Sequence, residues 1–281
     1  MAPHSIARRL WLFFLLGFLA FPAVIIAAEA QNPFDEGVKF YKAAKYKEAV
    51  AAFNRAIKSS PKSDEAYNNR GLAYFKLGQH ENAIKDYDQA IKLNPTLTDA
   101  YFNLGNAHME QKQYERAVKD FDEVIKIDAN APRAHRQRGL AHVVLKQYDK
   151  AVQDFSQAQK ADPKDVEIYY NRGLAYRRLG KNDLAVQDYS EAIKLEPKNA
   201  ESYNNRANAY SLLGKYEDAV KDYDEAVKLD AKNAKIYANR GVIRSRLGKT
   251  EDAQKDFKKA LELDPALKDK IEPLITQSKG K

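Results

Sequence analysis

The sequence predicts an all-α protein: a solenoid of about seven helix-turn-helix repeats closed by a C-terminal capping helix. Three columns of residues, each recurring at 34-residue intervals, carry that prediction. Prolines fall at Pro61, Pro95, Pro163, Pro197 and Pro265, with Ala129 and Ala231 in the two remaining places. Small residues form a second set: Gly71, Gly105, Gly139, Gly173 and Gly241, then Ala83, Ala117, Ala151, Ala185, Ala219 and Ala253. The third column is aromatic, through Phe53, Tyr87, Phe121, Phe155, Tyr189, Tyr223 and Phe257. A small column opposite a large one at a single period lets two helices per unit pack closely. Such a unit buries its apolar face only by stacking on copies of itself.

Residues 1–30 stand apart from the repeats. Arg8 and Arg9 precede an apolar run of nineteen residues from Leu10 to Ala28, followed by Ala28-Glu29-Ala30. Two readings stand: a signal peptide cleaved before Gln31, which Pro22 and the small residues favour, or an uncleaved membrane anchor, for which the run is nearly long enough. With the arginines held inside, either reading exports the repeats, placing them in the periplasm, outside the cell or tethered to the inner membrane through residues 10–28. Cleavage would remove Arg8, Arg9 and Glu29, one net positive charge of the formal +8. The chain has no cysteine, so its stability comes from packing without disulfides.

Repeats are expected over residues 31–265, in units of about 30–63, 64–97, 98–131, 132–165, 166–199, 200–233 and 234–267. In the second unit the period predicts helices over Glu65–Leu77, stopped by Gly78, and Glu81–Leu93, stopped by Asn94-Pro95. Gly78 recurs as Gly180, Gly214 and Gly248, whereas Lys112 and Lys146 occupy its place in two units and encode the turn less sharply. The first unit is degenerate at Pro33 and Glu36, as befits a terminal repeat. Beyond Pro265, residues 266–281 read as a capping helix and tail, with Leu267, Ile271, Leu274 and Ile275 on one stripe and Pro273 expected to kink or shorten it.

These columns resemble the tetratricopeptide repeat family over about residues 30–278. The resemblance implies a right-handed superhelix whose first helices line a concave surface. On that surface would lie a polar column, Asn69, Asn103, Gln137, Asn171, Asn205 and Asn239. An amide can pair with both the N–H and the C=O of one peptide unit. In the nucleocytoplasmic sugar-transferase branch of the family the matching column grips extended peptide backbone. The competing account is that duplication copied one tolerated asparagine. Neighbours on the same face would set specificity: Phe75, Phe102, Met109 and Val143 make the first half apolar, and Arg133, Arg136, Arg177 and Arg178 make the middle basic. The expected ligand therefore has an apolar end and an acidic centre. The carboxylate clamp of chaperone-binding relatives is missing, because Phe102, Glu167 and Asn171 occupy its places when it is started from Asn106.

Two further columns read as architecture. Arg70, Arg138, Arg172, Arg206 and Arg240 recur with Asp86, Asp120, Asp154, Asp188, Asp222 and Asp256, sixteen residues on or eighteen behind. His108, His135 and His142 stand in columns that are mostly tyrosine and read as core substitutes, with no metal site expected. Neither a phosphate loop nor a nucleophile-base pair is evident, and the sequence carries no His-Pro-Asp. It reads as a non-catalytic scaffold or adaptor for a peptide or protein in a bacterial envelope complex, without cofactor or nucleic acid. A self-assembling structural subunit with no peptide ligand is the alternative.

Overall fold

The computed structural model describes residues 32–279; the leader expected over residues 1–30 lies outside the described residues. Seven antiparallel helix pairs follow one another. They are α1 (Pro33–Lys42) with α2 (Tyr46–Ser59), α3 (Asp64–Lys76) with α4 (His80–Leu93), and α5 (Thr98–Glu110) with α6 (Tyr114–Ile127). Next come α7 (Pro132–Val144) with α8 (Tyr148–Ala161), and α9 (Val166–Arg178) with α10 (Asn182–Leu195). The array continues with α11 (Ala200–Leu212) and α12 (Tyr216–Leu229), then α13 (Ala234–Arg246) and α14 (Thr250–Leu263). A short 3-10 turn, Pro265–Leu267, leads into α15 (Lys268–Lys279). No strand occurs among the described residues.

The helix limits have local causes. Ser63 Oγ accepts from the Ala66 N–H at 3.1 Å, and Asn199 Oδ1 accepts from the Ser202 N–H at 2.9 Å, so these first helices begin on side-chain caps, whereas α5 and α7 start at Leu97 and Ala131 without one. Second helices end where the cap residue turns extended, as at Asn94 (φ −136°), immediately before the proline column. Within a pair, the aromatic column lies over the glycine column: Phe53, Tyr87, Phe121, Phe155, Tyr189, Tyr223 and Phe257 are all 0–1 % exposed. The degenerate first unit still forms a pair. Glu36 holds the place of the arginine column, and it pairs with Arg55 of α2 at 2.6 Å, so the polarity of the tie is reversed.

Curvature follows from which helices touch. Each odd-numbered helix contacts the next odd-numbered one, from α1 with α3 through α13 with α15, whereas no even-numbered helix contacts another even-numbered one. The odd helices therefore crowd along the inner, concave side and the even helices splay outside.

At the C-terminal end, α15 continues through Pro273 and is not cut short by it. The missing N–H costs one bond in a helix held by packing: Ile271 is 1 % exposed against Tyr237, Phe257 and Ala260, with Leu267 and Ile275 beside it. The side chain of Leu274 lies outside the described residues.

The turn inside each pair needs one left-handed residue. Gly78, Gly180, Gly214 and Gly248 take it at φ 73–74°, and Lys112 and Lys146 adopt the same conformation at φ 59°. A Cβ there is strained. Lys112→Gly and Lys146→Gly should each stabilise the fold by about 0.5–1 kcal/mol, read as a higher urea midpoint at unchanged m-value.

Candidate functional site

The amide column sits half-buried on the odd helices, and its hydrogen bonds obey a simple rule. Each amide reaches for the side chain 35 residues earlier, on the preceding odd helix. Where that residue can accept, the repeats are tied: Asn103 Nδ2 donates to Asn68 Oδ1 at 3.0 Å, Asn205 Nδ2 to the Tyr170 hydroxyl at 2.9 Å, and Asn239 Nδ2 to Asn204 Oδ1 at 3.5 Å. Where it is Phe34 or Arg136, which cannot accept, the amide folds back on its own helix. Asn69 Nδ2 then donates to the Glu65 carbonyl and Asn171 Nδ2 to the Glu167 carbonyl, both at 2.8 Å. Gln137, behind Phe102, makes no side-chain hydrogen bond among the described residues. Asn239 Nδ2 also donates to Asn208 Oδ1 at 3.5 Å, whereas the other four asparagines keep a second N–H and an unengaged Oδ1, the pair of groups a peptide unit requires.

The residues expected to confer specificity separate into three sets. Phe102 is 9 % exposed, 5.7 Å from the Phe121 ring and covered by the Arg133 guanidinium at 4.4 Å. Phe75, Met109 and Val143 are half-buried against the helix-pair cores, and Phe102 lines a cavity of about 220 Å³ with Val124, Pro132 and Ala134. Arg136 is neutralised by Asp165 and Glu167, both at 2.9 Å. Arg178 is exposed. Arg177 differs: its Nε is buried with no hydrogen-bond partner, and no carboxylate pairs with it among the described residues.

Three tyrosines around Arg177 were not singled out by sequence reasoning. Burial pushes the hydroxyls of Tyr170, Tyr189 and Tyr223 up from their ordinary range, and the Arg177 charge partly opposes the shift in each. Tyr189 is fully buried, with its hydroxyl interacting with the Arg177 side chain, while Tyr223 donates to Asn208 Oδ1 at 2.7 Å. The available signal was Tyr189 and Tyr223 standing where four other units have phenylalanine.

The charged columns meet as a staple. Arg172 forks onto Asp188, Nε to Oδ2 and Nη2 to Oδ1, both at 2.8 Å, and its Nη1 reaches Ser156 Oγ at 3.1 Å on the preceding pair. Arg70, Arg138, Arg206 and Arg240 repeat this with Asp86, Asp154, Asp222 and Asp256 and, sixteen residues behind, with Asn54, Asp122, Ser190 and Asp224. The aspartate partner is thus the one sixteen residues on, and a different column receives the other arm. In the third unit Leu104 replaces the arginine, and His108 Nδ1 meets Asp120 at 2.6 Å instead. His135 lies 3.1 Å and His142 3.7 Å from Asp154, and both are buried. Among the described residues no three His, Cys, Asp or Glu side chains converge to hold a metal ion, and no helix is long and apolar enough to cross a membrane.

Removing one arm of a largely buried pair leaves the other charge uncompensated. Arg172→Ala should therefore cost about 3 kcal/mol, measured by urea unfolding. Burial lowers the His142 pKa, against the pull of Asp154. The unfolded chain then binds the extra proton first, so stability is lost as pH falls through the ordinary value of 6.5. His142→Tyr should flatten the fall in Tm between about pH 7 and about pH 5; an unchanged slope would exclude His142 as its source.

Comparison with known proteins agrees with this geometry. Profiles described as TPR repeat match residues 37–78, 71–112, 143–180 and 173–214, and one described as tetratricopeptide repeat matches residues 98–130, 200–233 and 234–267. No curated protein matches the chain. Solved structures do, at the level of fold. YrrB, described as a TPR protein with an unusual peptide-binding site, is 22 % identical with a TM-score of 0.61, covering 64 % of this chain and 93 % of its own. The C-terminal part of a TPR repeat-containing protein from Cytophaga hutchinsonii is 20 % identical with a TM-score of 0.68, covering 83 % and 95 %. A tetratricopeptide repeat protein from Parabacteroides merdae is 22 % identical with a TM-score of 0.61, covering 88 % and 97 %. With its repeats matched over most of their length, the chain belongs to the tetratricopeptide repeat family.

Proposed function

We propose that this protein is a non-catalytic scaffold that holds an extended segment of a partner protein in its concave groove. The observation that carries the reading is the amide column: five half-buried asparagines along the odd helices, of which Asn69, Asn103, Asn171 and Asn205 are each anchored through one N–H and each retain a donor and an acceptor. Pairs of that kind grip backbone without regard to sequence, at about 0.5–1.5 kcal/mol per hydrogen bond. Selectivity then falls to the unpaired charges Arg177 and Arg178, which favour an acidic segment at the middle of the array. The peptide-binding site named for YrrB, a structure of like fold, supports the assignment. The apolar leader beginning after Arg8 and Arg9 supports export, as a bacterial envelope component either released or tethered at the inner membrane.

The test is affinity capture from bacterial envelope extract on the full-length chain, beside a variant carrying Asn103→Ala, Asn171→Ala and Asn205→Ala. The expected result is a partner retained by the first and lost from the second. Equal capture by both would place binding outside the amide column. A concentration-dependent rise in mass with nothing captured would favour self-assembly.

A further inference from the structure

A second apolar site stands at the opposite end of the groove from the one the sequence suggests. Phe75, Met109 and Val143 are half-buried and Phe102 lines a cavity of about 220 Å³ that it shares with Asp99, Asp128 and Arg133, whereas a socket of about 300 Å³ with no carboxylate among its described lining residues lies between α13 and α15. Its walls are Ala238, Val242, Leu267 and Ile271. It exists because Ala238 stands in the column that holds Phe102, Arg136 and Tyr170 in earlier units. At the next place in the amide column stands Pro273 of α15, which has no side-chain donor to send across. Asn239, the last amide of the column, also lines the socket, so a chain gripped by that column is led to it.

Charge says what fits. Lys235 and Lys270 line the socket, and among the described residues neither forms an ion pair and no carboxylate lines it. The apolar side chain it receives therefore belongs to a segment with acidic neighbours. Arg177 is the second fixed charge: half-buried, with its Nε buried and unpartnered, and with no carboxylate paired to it among the described residues. A desolvated guanidinium of this kind is compensated when an anion arrives from outside. Between the two lie neutral residues, Asn204, Asn208, Ser211 and Ser245. From α9 through α11 to α13 there are two contacts between inner helices, and the socket lies half a step further. At about 8–10 Å per helix contact the separation is about 20–25 Å, which an extended chain at about 3.3 Å per residue spans in about six to eight residues.

Resting on the groove-binding function proposed above, we propose that the groove reads two side chains of one extended acidic segment: an apolar side chain seated between α13 and α15, and a carboxylate about six to eight residues away against Arg177.

The test is fluorescence anisotropy with the full-length chain in mild detergent and labelled Gly/Ser-rich peptides. Each peptide carries one Leu with an adjacent Glu, and a second Glu at spacings from about three to about twelve residues, in both chain directions. Affinity should peak at the predicted spacing in one direction. For the matched peptide, Ala238→Trp, which fills the socket, and Lys235→Glu, an exposed change that spares the core, should each weaken binding at least about tenfold. Replacing the distal Glu by Gln should weaken binding to the wild type but not to Arg177→Gln. Affinity independent of spacing and of Ala238→Trp and Lys235→Glu, yet lost in the triple asparagine variant, would overturn the two-anchor inference and leave the groove in place. Binding unaltered in the triple variant as well would overturn both.

Discussion

Each repeat depends on a contact in which one residue gives up its side chain to another. A Cβ built on Gly71 or Gly105 would lie 2.6 Å from the facing Tyr87 or Phe121 ring, and one on Gly173 would lie 3.0 Å from Tyr189. The approaches at Gly71 and Gly105 are closer than real side chains tolerate and the one at Gly173 is tight, so the ring occupies the volume the glycine leaves and draws the two helices of a pair together. The sixth unit carries Ala207 in this column, and Tyr223 opposite it remains 1 % exposed. The contact is thus a strong preference of packing with some room to adjust. Once the pair is closed by its outer ring, the inner face of the first helix no longer has to supply the core and is left for other uses.

The staple does for the stack what the ring does for the pair. A carboxylate as buried as Asp154 or Asp256, 3 % and 2 % exposed, is tolerated only with a partner, and the array keeps that rule even where its arginine is lost. In the third unit His108, one turn beyond Leu104, reaches Asp120. In the seventh, Arg244 at the corresponding place adds a second guanidinium to Asp256 at 2.9 Å and to Asp224 at 3.1 Å. The position one turn after the arginine column thus supplies a donor to the aspartate in these two units, whereas in the second and sixth units its tyrosine ring lies against the column's guanidinium, Arg70 with Tyr74 and Arg206 with Tyr210.

Period and composition made the helix pairs and their stop signals legible, because a 34-residue recurrence averages out local noise in single units. What they could not convey was the direction of side chains on the inner face. Phe102 and Arg177 both belong to that face in sequence, yet Phe102 is stacked on Phe121 while Arg177 keeps an unpaired Nε. Arg136 looked like part of a basic cluster until its partners, Asp165 and Glu167, appeared 29 and 31 residues away. Lys112 and Lys146 carry no turn signal of their own and follow the backbone of their glycine counterparts because both flanking helices are fixed by packing. The continuation of α15 past Pro273 has the same origin, tertiary burial overriding local propensity.

The hydrogen bonds of the amide column also make its members unequal as ligand-gripping groups. Asn103, Asn205 and Asn239 are held from the preceding repeat, so their orientation is tied to the stacking of the solenoid and little rotamer freedom is left to lose on binding. Asn69 and Asn171 are held only by their own helix, through a bond that a ligand carbonyl can replace one for one. Binding at the first set reads the spacing between repeats, and binding at the second does not. A groove built from both can hold a backbone whose register is set at the tied positions and adjusted at the others. Asn171 belongs to the adjustable set and lies on α9, the helix that also carries Arg177, so the column yields most where the groove holds its unpaired charge.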